Sequence, residues 1–158
     1  MKTLVVFYSR SGRTRDIGGQ IAQRLGADVE EIRTKRSYEG FFGLWRSLAD
    51  ALRGAEFAIE APQKTASDYD IVVVGAPVWG GRAAPPVLTY LRQAEGAVRK
   101  AACFVTSGGA PRAGAFEEME ATMGAKSVAN LALDRGALRS RELGASLDRF
   151  AGSVKASG

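Results

Sequence analysis

Apolar residues follow two rhythms along this chain. Short unbroken runs at Leu4–Phe7, Ile71–Val74 and Ala101–Val105 have the length and composition of strands covered on both faces. Elsewhere apolar residues return every three or four positions. The series Ile17, Ile21, Leu25; Phe41, Trp45, Leu48, Leu52; Val87, Leu88, Leu91; Phe116, Met119, Met123; and Leu143, Leu147, Phe150, Val154 each mark an amphipathic helix. Pro85 and Pro86 open the third of these helices, where proline costs little. The second helix, in the segment from Gly40 to Gly54, is expected to cover the sheet with Trp45 in the core; the alternative is that its aromatic start also shields a bound ligand. Two further strands are expected at 27–33, where Val29 and Ile32 cannot share a face, and at 128–133. Residues 55–69, with Pro62 and Ser67-Asp68, read as a loop, and the small polar tail after Val154 is expected to fray.

Strands therefore alternate with helices. That pattern implies an α/β fold, a parallel sheet with helices on both faces and right-handed crossovers. Five strands fit the order 2-1-3-4-5, with a ligand crevice at the carboxyl ends between strands one and three. At 158 residues the expectation is a single domain spanning 1–158. Three unusual turns, at 9–14, 77–81 and 106–110, follow strands one, three and four, so all three open on one edge of the sheet.

The first turn, Ser9-Arg10-Ser11-Gly12-Arg13-Thr14, lies between a buried strand and a helix. Free N–H groups and the positive end of the helix dipole face it. Its hydroxyls add donors, and Gly12 lets the backbone curl around a guest. This is phosphate-binding chemistry. It is not the Gly-Lys-Ser/Thr nucleoside-triphosphate loop, nor the G-x-G-x-x-G dinucleotide turn.

Composition narrows the classes. The chain is 46% hydrophobic, enough for a full core, and no run of about 18 apolar residues exists. The N-terminus enters a strand directly, and Cys103 is the only cysteine, which fits a reducing, cytoplasmic setting. Cys103 sits mid-strand and reads as an inert core thiol; Tyr8 and Tyr90 read as packing residues. Histidine is absent, which removes the commonest general base and metal ligand, so no catalytic residue and no metal site are expected. The net charge of +5 favours an anionic ligand or an acidic partner. No nucleic-acid motif or basic stripe with interleaved aromatics accompanies it.

The pattern S-x-S-G-x-T after the first strand resembles the phosphate loop of flavodoxins, and the P-x-W-G and T-x-G-G segments resemble their two ring loops. The resemblance covers essentially the whole chain and implies a flavodoxin-like three-layer sandwich that binds FMN. It implies that Ser9, Arg10, Ser11, Gly12, Arg13 and Thr14 hold the phosphate. Pro77, Val78, Trp79, Gly80 and Gly81 would flank the isoalloxazine, with Trp79 stacked on it. Thr106, Ser107, Gly108 and Gly109 would face its pyrimidine edge through backbone N–H groups. The implied function is electron transfer with a redox partner protein, by a monomer or weak homodimer, and the basic charge of this chain makes an acidic partner the expectation. A small FMN-dependent quinone-type oxidoreductase and a non-redox module using the anion pocket are the alternatives. Unlike many flavodoxins, this chain places arginines at 10, 13, 15 and 82 beside the loops and has no aromatic residue in the third loop. Arg82 is expected to favour the added negative charge of the reduced ring.

Overall fold

The computed structural model describes residues 1–35, 45, 57–109 and 114–158. Its strands are β1 (Thr3–Phe7), β2 (Asp28–Glu31), β3 (Ile71–Trp79), β4 (Arg82–Ala83), β5 (Ala101–Thr106) and β6 (Ser127–Leu133). Its helices are α1 (Arg13–Leu25), α2 (Pro85–Gln93), α3 (Gly114–Met123), α4 (Arg135–Arg139) and α5 (Leu143–Ala156). The sheet order is β2-β1-β3-β5-β6, with β4 joined only to β3. Every pairing in the main path is parallel; β3–β4 and the isolated Thr34–Ile59 bridge are antiparallel. With the two-residue β4 set aside, this is the expected order 2-1-3-4-5.

The central strands carry no exposed face. Leu4, Val5, Val6, Ile71, Val72, Val73, Val74 and Ala101 through Val105 are all fully buried. Alternate residues feed two cores. Leu4, Val6, Val72, Val74, Cys103 and Val105 meet α2 and α3 through Val87, Leu91 and Met119. Val5, Phe7, Val73 and Phe104 meet α1 and α5 through Ile17, Ile21, Leu147, Phe150 and Val154. Each such large side chain contributes roughly 1.5–3 kcal/mol on burial. Close seating of α1 on β1 needs a glycine, because a Cβ at Gly18 would stand 2.5 Å from the Phe7 ring. That seating brings the start of α1 to the carboxyl end of β1.

Several details depart from the sequence reading. β3 runs four residues past Gly75, to Trp79, and turns into β4. β2 is shorter than 27–33: Val29 is 41% exposed, while Glu30 lies on the covered side and accepts a hydrogen bond from Gln63 N at 3.0 Å. In an edge strand the polar residue that finds a backbone donor can take the inner position. Trp45 is 60% exposed, so its expected place in the core is wrong. A helical spacing says which residues share a stripe but not whether that stripe is covered. The remainder of the helix expected over 40–54 lies outside the described residues. Helix α5 continues past Val154 to Ala156. Residues 57–69 form the expected irregular connection, fixed by a bridge between Thr34 and Ile59 and a single 3-10 turn at Ala66–Asp68. Among the described residues no helix is long and apolar enough to cross a membrane.

Glu120 of α3 links that helix to β6. It accepts from Ser127 Oγ and, at 3.1 Å, from Ser127 N, and pairs with Lys126 Nζ at 2.9 Å. The Ser127 hydroxyl bond first, then the Lys126 bond, draws its carboxyl from the ordinary 4.5 down to about 2. The folded state thus favours the ionised form. Its contribution is complete above the unfolded carboxyl value near 4.5 and is lost as pH falls toward 2. Glu120→Gln is expected to unfold more readily than the parent at pH 7 in urea, with the difference vanishing near pH 2. A constant difference across that window would show that the carboxylate's charge contributes nothing.

Candidate cofactor site at the carboxyl edge of the sheet

The first turn leaves β1 at Phe7 and enters α1 at Arg13. Gly12 precedes the helix with φ of 91°, a left-handed conformation that side chains disfavour. Its N–H donates to Ser9 Oγ at 3.0 Å, and its carbonyl accepts the first helical bond from Asp16 N at 3.0 Å. Ser9 is buried and, by accepting from Gly12 N, holds the turn closed. Ser11 is exposed at the rim. The turn is therefore a concave loop capped by the start of a helix, the arrangement that favours a bound anion.

The second turn is a hairpin, which the sequence reading did not foresee. Gly80 and Gly81 have φ of 59° and 82°, and Trp79 pairs with Arg82 across them. Two central residues with positive φ make a type I′ turn, whose twist suits a two-residue hairpin. Pro77 O closes the ladder by accepting from Ala84 N at 3.0 Å. Trp79 stands half-buried at the end of β3, with Tyr8 at 5.7 Å edge-on and Phe57 at 6.2 Å. Tyr8 is thus a packing residue, and what it supports is the tryptophan.

Glu118 of α3 clamps this hairpin. It accepts from the Arg82 guanidinium and, at 3.2 Å, from Ala83 N. The Glu118 hydrogen bond and its charge hold the Arg82 proton more tightly than usual. Arg82 is therefore a strut with its charge matched, rather than a free cation beside the ring loop.

The third turn follows β5. Thr106 ends the strand, and its Oγ1 lies 2.8 Å from Thr14 Oγ1 in a buried contact. This bond joins the first turn to the third. Ser107 N donates to Leu133 O at 3.0 Å, and Ser107 Oγ donates to Gly109 O at 2.6 Å. Ser107 is thereby spent on shaping the turn. The backbone donors this turn can present outward are those of Gly108 and Gly109, both exposed. Ala110 to Arg112 lie outside the described residues.

All three turns come together as the sequence implied. One neighbour was missed. A methyl placed on Gly108 would stand 3.9 Å from Arg135 Nη2, so the guanidinium of Arg135 hangs over the third turn. Arg135 starts α4, which is too short for a helical period to show. Its one legible signal was Asp134, whose Oδ1 caps the helix by accepting from Ala137 N at 2.8 Å. Arg15 does not serve the first turn alone: it pairs with Glu31 at 2.6 Å. Cys103 is buried, and burial first, then the Glu120 charge, pushes its thiol up to about 12, which fits an inert core residue.

An open doubly wound sheet with three ligand-shaped turns at one edge is the architecture of small flavin-binding proteins. The flavodoxin family model matches residues 2–148, and the chain belongs to the flavodoxin family. A protein from Bacteroides uniformis is similar in structure, with a TM-score of 0.80 at 22% identity, covering 96% of this chain and 97% of its own. A flavoprotein from Lactobacillus acidophilus, solved in complex with FMN, matches at 0.69 and 22% identity, covering 83% of this chain and 92% of its own. Oxidised Flavodoxin 1 from Bacillus cereus matches at 0.60 and 20% identity over 98% of both chains. At these identities the likeness is one of fold. No curated protein matches the chain.

Two substitutions test the hairpin's role. Trp79→Ala is expected to weaken flavin binding by about 1–3 kcal/mol, by analogy with base–aromatic stacking. Glu118→Ala leaves the residues of the hairpin itself unchanged but frees Arg82 and Ala83. It is expected to weaken binding several-fold, measured by quenching of flavin fluorescence. Unchanged affinity in both variants would remove the hairpin from the site.

Proposed function

We propose that this protein binds FMN at the carboxyl edge of the sheet and carries electrons between partner proteins. The observation behind the proposal is the buried Thr14–Thr106 bond, which holds the phosphate-type turn and the ring-type turn in fixed register 92 residues apart. Membership of the flavodoxin family and the FMN held by the Lactobacillus acidophilus flavoprotein support the choice of cofactor.

Bound FMN would supply an isoalloxazine that takes up and releases electrons. The chain's own residues do the rest. The start of α1 and the Ser9 and Ser11 hydroxyls receive the phosphate dianion. A hydroxyl has one proton and two lone pairs, so Thr14 can accept from Thr106 and donate to the phosphate at once. Charge-assisted bonds of this sort are worth roughly 1.5–3 kcal/mol each. Trp79, held edge-on by Tyr8, offers a flat apolar surface to one face of the ring. The Gly80-Gly81 peptide lies on an exposed turn and can adjust to the ring's protonation. Gly108 and Gly109 present N–H groups to its polar edge.

An anaerobic reductive titration of the FMN-loaded protein tests the carrier role. Two resolved one-electron steps are expected. A single two-electron step with rapid turnover on a quinone would point to the oxidoreductase instead, and failure to bind FMN would leave only a binding module. Arg82→Glu places two carboxylates, at 82 and 118, beside the hairpin. It is expected to lower the second-step potential at low salt and to do so less at high salt, because charges beyond about 8–10 Å are screened. A raised potential would contradict the electrostatic assignment.

A further inference from the structure

Basic residues of the chain differ in whether they are paired. Arg15, Arg24, Arg82 and Lys126 are each paired, with Glu31, Asp148, Glu118 and Glu120 respectively. Arg13, Arg135 and Arg139 are exposed and make no ion pair with any described residue. These three line one cleft of about 270 Å³ between α1 and the α4–α5 corner. Among the described lining residues Asp16 is the one acidic side chain, and Ile17, Leu138 and Leu143 give the cleft an apolar floor. The cleft begins where Arg13 opens α1 and reaches the third turn where Arg135 overhangs Gly108.

We propose that this cleft is the docking surface for an acidic redox protein, with Arg135 and Arg139 as its charge determinants. The proposal rests on the reading of the chain as an electron carrier. A carboxylate-rich protein patch fits better than a bare phosphate for two reasons. An apolar floor ringed by arginines is the lining that protein interfaces favour. The arginines are also spread over two helices, which suits several carboxylates rather than one compact anion. Docking here puts the partner against the third turn, at the edge where the ring is placed. Unpaired charge on this rim would speed encounter, and salt would weaken the effect.

The test uses the FMN-loaded protein and, as probe, an oxidised plant-type ferredoxin, a strongly acidic one-electron protein. Binding is measured by titration calorimetry at low and high salt. The double variant Arg135→Glu, Arg139→Glu is expected to weaken binding at least tenfold at low salt. The double variant Arg92→Glu, Arg99→Glu makes the same change of four charge units at the opposite edge of the sheet, on two exposed arginines, and is expected to change binding less than twofold. FMN affinity, measured separately, reports whether each variant keeps its cofactor site. Equal loss from that matched double variant would mean that net charge alone acts, and would overturn the assignment of this cleft. So would ferredoxin binding unchanged in the Arg135→Glu, Arg139→Glu variant. Inorganic phosphate saturating the cleft with no ferredoxin binding would make it a small-anion site and overturn the proposal as well. Should the parent fail to load FMN, the carrier reading falls and this one with it. Loss of the docking claim alone leaves FMN loading and the two-step titration intact.

Discussion

A single buried hydrogen bond, Thr14 Oγ1 to Thr106 Oγ1, sets the geometry on which the site depends. The parallel sheet brings β1 and β5 to the same edge but leaves β3 between them. Without a direct link the turns after β1 and β5 would each follow their own helix. The threonine pair spans the end of β3 and fixes their separation. Both residues are buried, Thr14 at 2% and Thr106 at 3% exposure, so neither hydroxyl can exchange this partner freely for water. Replacing one alone would leave a buried polar group unmatched, which costs more than the bond itself contributes.

The hairpin between them is fixed by different means. It has only two residues per strand and would not stand alone. Glu118 supplies the missing constraint from α3, and Tyr8 and Phe57 set the angle of Trp79. The site thus draws support from both helix layers: α1 positions the first turn and α3 the second. Regular elements carry the placement, while the second and third turns present glycines, of which Gly80, Gly108 and Gly109 are exposed. This division suits a ligand that must be held at its phosphate yet tolerated in more than one state at its ring.

Much of this was legible in the chain because unbroken runs such as Ile71–Val74 leave little choice of structure, and the turns after them have unusual chemistry. What escaped depends on contacts distant in sequence. Arg82 reads as a free cation until Glu118, 36 residues on, is placed against it. Ser107 reads as a ring donor until Leu133 O takes its N–H. Arg135 and the short helix it starts carry no apolar period. Trp45 has the right spacing for a core residue, but spacing cannot show whether another layer covers the stripe. The pairing state of each arginine, and hence where the free charge lies, was the part of the site least accessible from the sequence.

The central claim is that flavin sits across the three turns. It is tested most directly by amide NMR of the apoprotein, titrated with FMN and then, separately, with riboflavin. With FMN, shifts should concentrate at 9–14, 78–81 and 106–109, and riboflavin should bind far more weakly and leave 9–14 nearly unmoved. A different groove, of about 240 Å³, lies between Glu30–Ile32 and residues 59–63, with Tyr90 at its base. Shifts confined to that groove, or equal affinity for the two flavins, would contradict the account.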